Sequence, residues 1–353
     1  MVYQRPSIKA LSPSELAEQF ASYGLPDYRC SQIQQWIWAK GARSFSEMSN
    51  LPKDLRLNLE QAYTMPFPKV VARQISMDGT RKYLIEYDDG ISVETVGIPS
   101  HDGARLTVCF STQAGCPMGC IFCATGHAGF TRNLNIGETV DQIRIVQEDF
   151  DQRVTNVVAM GQGEPFLNYD ATLSALRIMN SSNGLGIGAR HITVSTCGVI
   201  EGIEKLSEEQ EQFTLAVSLH SAVQSTRDFI MPSVARYTLP MLRSALKRYG
   251  DETGRRPTLE FAMMKDINDS SEELDALLTF CSGMLCHVNL IPLNPITKDS
   301  DEFAVAPSHK LLEFEKALSY EGIEASIRSS RGGDIDGACG QLRQRIISAG
   351  QNR

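Results

Sequence analysis

The hydrophobic pattern divides the chain into three stretches. Residues 11–65 read as helical. LSPSELAEQF opens on a serine capping candidate, and SQIQQWIWAK places Ile33, Trp36 and Ile37 on one face. Residues 68–98 change character, and KYLIEYDDGISVETVGIP predicts two strands joined at Asp88-Asp89-Gly90. From about residue 105 strands and helices alternate. RLTVCFS precedes the helix GETVDQIRIVQEDF, striped by Val140, Ile143, Val146 and Phe150. VTNVVAM, HITVST and FTLAVSL precede helices near 171–180, 199–207 and 239–249. TLEFAMM precedes a helix with a capping box of Ser270 and Glu273, and HVNLIPL precedes one near 308–320 that stops at Gly322. IEASIR reads as one more strand.

Continuous apolar strands alternating with amphipathic helices predict an α/β fold on a parallel sheet, open or barrel-like. Chemistry in such folds gathers at the C-terminal ends of strands. The stretches to inspect are therefore Gly161–Pro165, Ser195–Gly198, Ser218–Ser221 and Asn294–Pro295.

Composition narrows the options. With 353 residues and 42% hydrophobic content, a large core is assured and global disorder is excluded. The net charge of −8 excludes a whole-chain polycation, so nucleic-acid contact needs a local basic surface. Two runs offer one: Arg236, Arg243, Lys247, Arg248, Arg255 and Arg256, and Arg328, Arg331, Arg343 and Arg345, each also readable as a solvated face. Trp36 and Trp38 read as core packing ahead of base stacking. No window reaches the roughly 18–20 apolar residues of a membrane span, and MVYQRPSIKA has no signal-peptide core. The expectation is a cytoplasmic protein without membrane contact.

The nine cysteines are Cys30, Cys109, Cys116, Cys120, Cys123, Cys197, Cys281, Cys286 and Cys339. An odd number, with three crowded together, argues for a metal site or thiol chemistry over a disulfide scaffold. Those three form Gly115-Cys-Pro-Met-Gly-Cys-Ile-Phe-Cys-Ala-Thr-Gly126, a C-x3-C-x2-C loop after a predicted strand. Three thiolates suit an iron–sulfur cluster with one iron open, whereas a closed zinc site wants four ligands, with His127 or a distant cysteine as the fourth.

This loop resembles the signature of radical S-adenosylmethionine (SAM) enzymes. More narrowly, the chain resembles the RlmN/Cfr family of bacterial RNA adenosine methyltransferases. The marks are QIQQWIWAKGARSFSEMSNLPKDLR, VETVGIP, RLTVCFSTQAGCPMGCIFCATG, GQGEPFLNYD, HITVSTCG, AVSLHS and RGGDIDGACGQLR. The resemblance implies a partial (β/α) barrel of radical SAM type over 100–330. A helical RNA-contacting domain over 1–66 and a β-hairpin extension over 67–99 precede it, and a tail over 331–353 carries a methyl-accepting cysteine.

It further implies that Cys116, Cys120 and Cys123 hold a [4Fe–4S] cluster. SAM contacts fall on Gly163, Glu164, Ser195, Ser218, Leu219, His220 and Asn294. Gln162 stands where the family usually has Met, read as a packing variation. Cys339 matches the methyl carrier, and Cys109 the cysteine that forms a disulfide with it to release product. Glu94 matches the proton acceptor; as a bare pattern it reads equally as a solvent-facing strand position. The implied reaction is methylation of adenosine C2 in 23S rRNA and tRNA with two SAM molecules, or of C8 in the Cfr branch. A non-catalytic iron–sulfur RNA-binding protein is the rival of another class. The expected partners are those RNAs and a flavodoxin- or ferredoxin-type electron donor, with the protein a monomer.

Overall fold

The computed structural model describes residues 5–294, 304–328, 331–332 and 334–335. The chain begins with three helices, α1 (Pro13–Ser22), α2 (Asp27–Trp38) and α3 (Lys53–Ala62). At α1 the Ser12 hydroxyl accepts from the Glu15 N–H and the Glu15 carboxylate returns to the Ser12 N–H, a complete capping box with Pro13 at the first helical position. On α2, Ile33, Ile37 and Trp38 are buried. Trp36 packs half-buried against the core, with its Nε1 donating to Asn50 Oδ1 at 2.5 Å and the Lys40 ammonium over its ring.

The strands are β1 (Lys69–Ile75), β2 (Arg81–Glu86), β3 (Ser92–Pro99), β4 (Leu106–Cys109), β5 (Gln113–Gly115), β6 (Phe130–Asn133), β7 (Asn156–Ala159), β8 (Ile192–Thr196), β9 (Thr214–Ser218), β10 (Thr258–Met263), β11 (His287–Pro292) and β12 (Glu324–Ile327). The later helices are α4 (Ala124–Ala128), α5 (Ile136–Phe150), α6 (Tyr169–Asn180), α7 (Ile200–Glu208), α8 (Gln224–Ile230), α9 (Leu239–Thr253), α10 (Ser271–Cys281) and α11 (Ser308–Tyr320).

Ten strands form one sheet in the order β1-β2-β3-β4-β7-β8-β9-β10-β11-β12, and β5 pairs with β6 apart from it. From β4 to β12 every pairing is parallel; β1, β2 and β3 form an antiparallel meander on the β4 edge. The hairpin expected over 67–99 thus has a third strand. It continues the barrel sheet through the Val96↔Cys109 register. Strand β1 escaped the sequence reading because most of it is exposed and mixed in polarity.

The parallel strands are also less uniformly apolar than expected. Their register sorts the side chains into two faces. Val108, Val157, Ile192, Val194, Leu215, Val217, Leu259, Phe261, Val288 and Leu290 lie on one face and are buried. The α5 stripe Val140, Ile143 and Val146 belongs to the same core, as does Phe314 of α11, which meets Phe261 of β10 with ring centroids 6.0 Å apart. The other face carries Glu94, Cys109, Ser195, Ser218, Glu260 and Asn289 in register, a polar concave lining. Half of the predicted box at α10 also has another use. Ser270 accepts from the Glu273 N–H, but the Glu273 carboxylate takes the Ser221 hydroxyl at 2.8 Å, tying the helix to the β9 strand end.

The helical domain is fastened to the barrel by a buried ion pair. Lys9 Nζ lies 2.8 and 2.9 Å from the Asp141 carboxylate oxygens on α5, with both side chains almost fully enclosed. Burial pulls the Lys9 pKa down and pushes the Asp141 pKa up, so each group depends on the other. Asp141→Ala leaves an uncompensated buried ammonium. It is expected to cost about 3–5 kcal/mol, read as a lower urea midpoint and early proteolytic release of the segment before residue 66. An unchanged midpoint would show that the pair does not hold the two parts together.

Candidate functional site

The cysteine loop begins where β5 ends. Gly115 has φ +75°, and a Cβ there would lie 2.0 Å from the Gly129 carbonyl oxygen, so only glycine permits the turn. The Cys116 N–H donates to that same carbonyl at 2.9 Å, and the Ile121 N–H reaches Ile230 O at the end of α8 at 3.1 Å. Cys123 then sits at the start of α4. Cys116 and Cys123 are half-buried and Cys120 is buried. Burial pushes the Cys116 thiol up to about 12, against a hydrogen bond from the Met118 backbone that lowers it.

All three cysteines line a cavity of ≈300 Å³ that opens at the C-terminal ends of the parallel strands. Gly163, Glu164, Ser195, Ser218, His220 and Asn294 line the same cavity. At Gly163 the backbone has φ +105°, and a Cβ would stand 2.6 Å from Gln113 Cβ. Glu164 is 1% exposed. Its Oε1 accepts from the Phe166 N–H at 3.0 Å and its Oε2 from the Cys197 N–H at 2.6 Å. Burial raises its pKa, opposed by these backbone donors. Gln162 is buried, and its backbone accepts from Thr112 and Gln113 and donates to Ser111 Oγ, which braces the loop from below.

His220 has φ +55°, unusual for a non-glycine residue. Asn268 holds this turn by donating to both His220 O and Ala262 O. The Ala262 N–H donates to His220 Nδ1 at 3.0 Å, so the ring is the neutral tautomer protonated at Nε2. Burial first, then the Arg227 charge, lowers its pKa to about 3. Leu219 differs from its neighbours: its side chain is fully buried away from the cavity and only its backbone serves the turn.

Glu94 is 3% exposed on the concave face, so the solvent-facing reading of this position is wrong. Lys82, opposite Val96 on β2, brings Nζ to 3.3 Å from Glu94 Oε1. Cys109 ends β4 on the same face. Burial pushes its thiol up to about 11, with Arg328 and the Met160 backbone pulling the other way.

His127, the candidate fourth zinc ligand, has Nε2 at 2.8 Å from the Ile121 carbonyl. Among the described residues no three His, Cys, Asp or Glu side chains gather tightly enough for a single metal ion. Three soft thiols spread along one wall of a cavity are the donor set of a polynuclear iron–sulfur cluster, so these residues fit that group. Cys339, Arg343, Arg345 and Pro295 lie outside the described residues.

The sequence reading missed several residues of the site. Glu260 and Asn289 share the concave face with Arg328, which the sequence reading places in a basic run, and Asn289 Nδ2 donates to Glu260 Oε2 at 2.8 Å. Their signal was the alternation within TLEFAM and HVNLIP, which looked continuous by hydrophobicity alone. Arg227, just behind the cysteine loop, gave no signal, and Cys197 fell within the Ser195–Gly198 stretch without a role assigned to it. The basic run 236–256 is mostly consumed internally: Arg243 caps α10 carbonyls, Arg248 pairs with Glu204, Arg255 reaches Glu211 and Phe213 carbonyls, and Arg256 pairs with Glu324.

The parallel α/β sheet and the cysteine-lined cavity at its C-terminal edge define a radical SAM protein. A model of the radical SAM superfamily matches residues 110–278, and a model of the ribosomal RNA large subunit methyltransferase N-terminal domain matches residues 8–65. A probable dual-specificity RNA methyltransferase RlmN of Geobacillus thermodenitrificans is 43% identical over 96% of this chain and 93% of its own length. The Bacillus subtilis protein of the same description is 41% identical over 96% and 93%. A crystal structure of a radical SAM methyltransferase from Sphaerobacter thermophilus superposes with a TM-score of 0.86 at 41% identity, covering 95% of this chain and 98% of that one. The chain belongs to the RlmN family. Among the described residues no helix is long and apolar enough to cross a membrane.

Proposed function

We propose that the protein methylates C2 of adenosine in 23S rRNA and in tRNA. Cys116, Cys120 and Cys123 hold a [4Fe–4S] cluster, the cavity takes SAM, and Cys339 carries the methyl group. One observation supports this reading most: the three cysteines and the Glu164 carboxylate line a single cavity, and the concave sheet face beside it carries Glu94 and Cys109. When bound, the cluster and SAM supply the methyl group and the one-electron chemistry.

The chain supplies placement and proton handling. Glu164, fixed by two backbone N–H groups, is preorganised to take an ammonium. His220 offers an Nε2–H donor, Ser195 and Ser218 offer hydroxyls, and Asn294 an amide. Glu94 accepts the proton lost as the adduct joining Cys339 to the base regains its aromatic ring, the odd electron passing to the one-electron acceptor a bound cluster would supply. The Cys109 thiolate then attacks Cys339 sulfur. The S–S bond forms, the S–C bond breaks, and its electron pair stays on the departing carbon, which is protonated to the methyl group. The segment 1–66 contacts RNA, and a low-potential flavodoxin or ferredoxin reduces the cluster of a cytoplasmic monomer.

The deciding experiment is an anaerobic reaction of reconstituted protein with SAM, reductant and unmodified 23S rRNA or tRNA, followed by nucleoside mass spectrometry. The expected product is 2-methyladenosine. 8-Methyladenosine would reassign the target carbon with the machinery intact. SAM cleavage without methylated adenosine would reject the RNA substrate, and an iron-loaded protein inert toward SAM would favour a binding protein.

Gly163→Ala places a Cβ into Gln113 and forces alanine to φ +105°. It is expected to weaken SAM binding more than about tenfold, 1.4 kcal/mol, with iron content unchanged. Calorimetric titration showing native affinity would remove Gly163 from the SAM site.

A further inference from the structure

A buried cation stands behind the cysteine loop. Arg227 on α8 is 1% exposed, and it takes part in none of the ion pairs among the described residues. Its partners are neutral. Nη1 donates to Ser218 O at 3.0 Å and Leu219 O at 2.7 Å and touches Met231 Sδ at 3.1 Å. Nη2 donates to Cys197 O at 2.7 Å, and Nε is buried with no hydrogen-bond partner. A guanidinium enclosed this way is costly unless an anion lies close by. The Nη2 contact places the charge directly behind Cys197, which lines the cavity together with Cys116, Cys120 and Cys123.

Cys197 completes the link. Its N–H is held by Glu164 and its carbonyl by Arg227, so its backbone is pinned from both sides. Its side chain lines the same cavity as Cys120. A Cys120 that ligates iron is a thiolate with no proton to give, so a hydrogen bond between the two runs from Cys197 S–H to Cys120 Sγ. We propose that Arg227 and Cys197 form a cationic, hydrogen-bond-donating layer behind Cys120 that raises the reduction potential of the cluster. The inference rests on the reading that Cys116, Cys120 and Cys123 hold that cluster.

The physical argument is electrostatic. One-electron reduction adds a negative charge to the cluster without making or breaking a bond to the protein. A fixed positive charge in a poorly screened interior stabilises the reduced form. A hydrogen bond to a ligating sulfur acts in the same direction. Neither residue needs to touch SAM or RNA to have this effect.

The test uses anaerobically reconstituted full-length protein, with iron and sulfide content measured first. The midpoint potential then comes from a redox titration followed by electron paramagnetic resonance. Arg227→Gln is expected to make reduction at least about tenfold less favourable, about 59 mV for a one-electron couple. Arg227→Lys keeps the charge and is expected to stay within about threefold of the native constant. Cys197→Ala removes only the S–H and is expected to lower the constant at least about threefold. Arg227→Gln and Cys197→Ala with native iron content and unmoved midpoints overturn the inference. If Arg227→Gln fails to load iron, an unmoved midpoint in Cys197→Ala overturns it alone. A native protein that holds no cluster refutes the cluster reading instead.

Discussion

Cys339→Ala is expected to abolish methylated adenosine, and Cys109→Ala to stop the reaction one step later, with RNA covalently attached to the protein. Both variants should fall at least about a thousandfold in product formation, roughly 4 kcal/mol of barrier. The difference between them is the informative part. On the proposed mechanism, loss of Cys339 removes the carrier, so nothing bonds to RNA. Loss of Cys109 on that mechanism lets the carrier load and add to the base but leaves no thiol to cleave the adduct.

The tail's attachment makes this pairing physically reachable. Arg331 donates to Pro99 O at 2.6 Å, the Gly332 N–H donates to Asp78 Oδ2 at 2.9 Å, and the Asp334 carboxylate accepts from the Met77 N–H at 2.8 Å. This start of the tail is tied to the β1–β2 turn. Five residues separate Asp334 from Cys339, a reach of about 17 Å at most. Pro99 pairs with Leu106, and Cys109 lies three residues further along β4, roughly 10 Å. A denaturing gel with labelled RNA checks the prediction. Cys109→Ala should give a ribonuclease-sensitive shifted band that vanishes in the Cys109→Ala/Cys339→Ala double variant. Two variants with the same defect and no band would remove Cys109 from the resolving role. Because burial holds the Cys109 thiol near 11, its thiolate fraction rises with pH throughout the neutral range. Adduct release should therefore quicken by about tenfold per pH unit between pH 7 and 9 when this attack is limiting.

The parts legible in sequence are those where local pattern and chemistry coincide. The helix stripes were legible because burial of one face imposes the period directly, as at Val140, Ile143 and Val146. The cysteine loop was legible because its ligand spacing is local. The concave lining was legible only where the resemblance named it, as at Glu94 and Cys109. The resemblance did not reach Lys82 and Glu260, and the register across the sheet is what puts them on the same face. Arg227 was the least visible. Its partners are backbone carbonyls, which carry no residue identity, and its placement depends on how α8 closes over β9.

The same distinction between local chemistry and packing predicts opposite outcomes for two cysteines. Cys123→Ala is expected to lose the cluster and with it all SAM cleavage, at least about a thousandfold in rate, while the fold survives. Cys123 sits in a loop at the cavity wall, half-buried, and the apolar face of the sheet does not depend on it. Cys281 is 1% exposed at the end of α10, packed in the core beside the buried Cys286. Cys281→Ala should keep native iron content and activity but lose about 1–2 kcal/mol of stability, the ordinary cost of trimming a packed side chain. Iron analysis, the visible absorbance of the reconstituted protein and a urea melt separate the two. If Cys281→Ala also lost iron, the cluster would depend on residues far from the C-x3-C-x2-C loop. If Cys123→Ala kept the cluster, the cavity would hold it by a different set of ligands. Either result would break the link between the loop's spacing and the chemistry at the sheet edge.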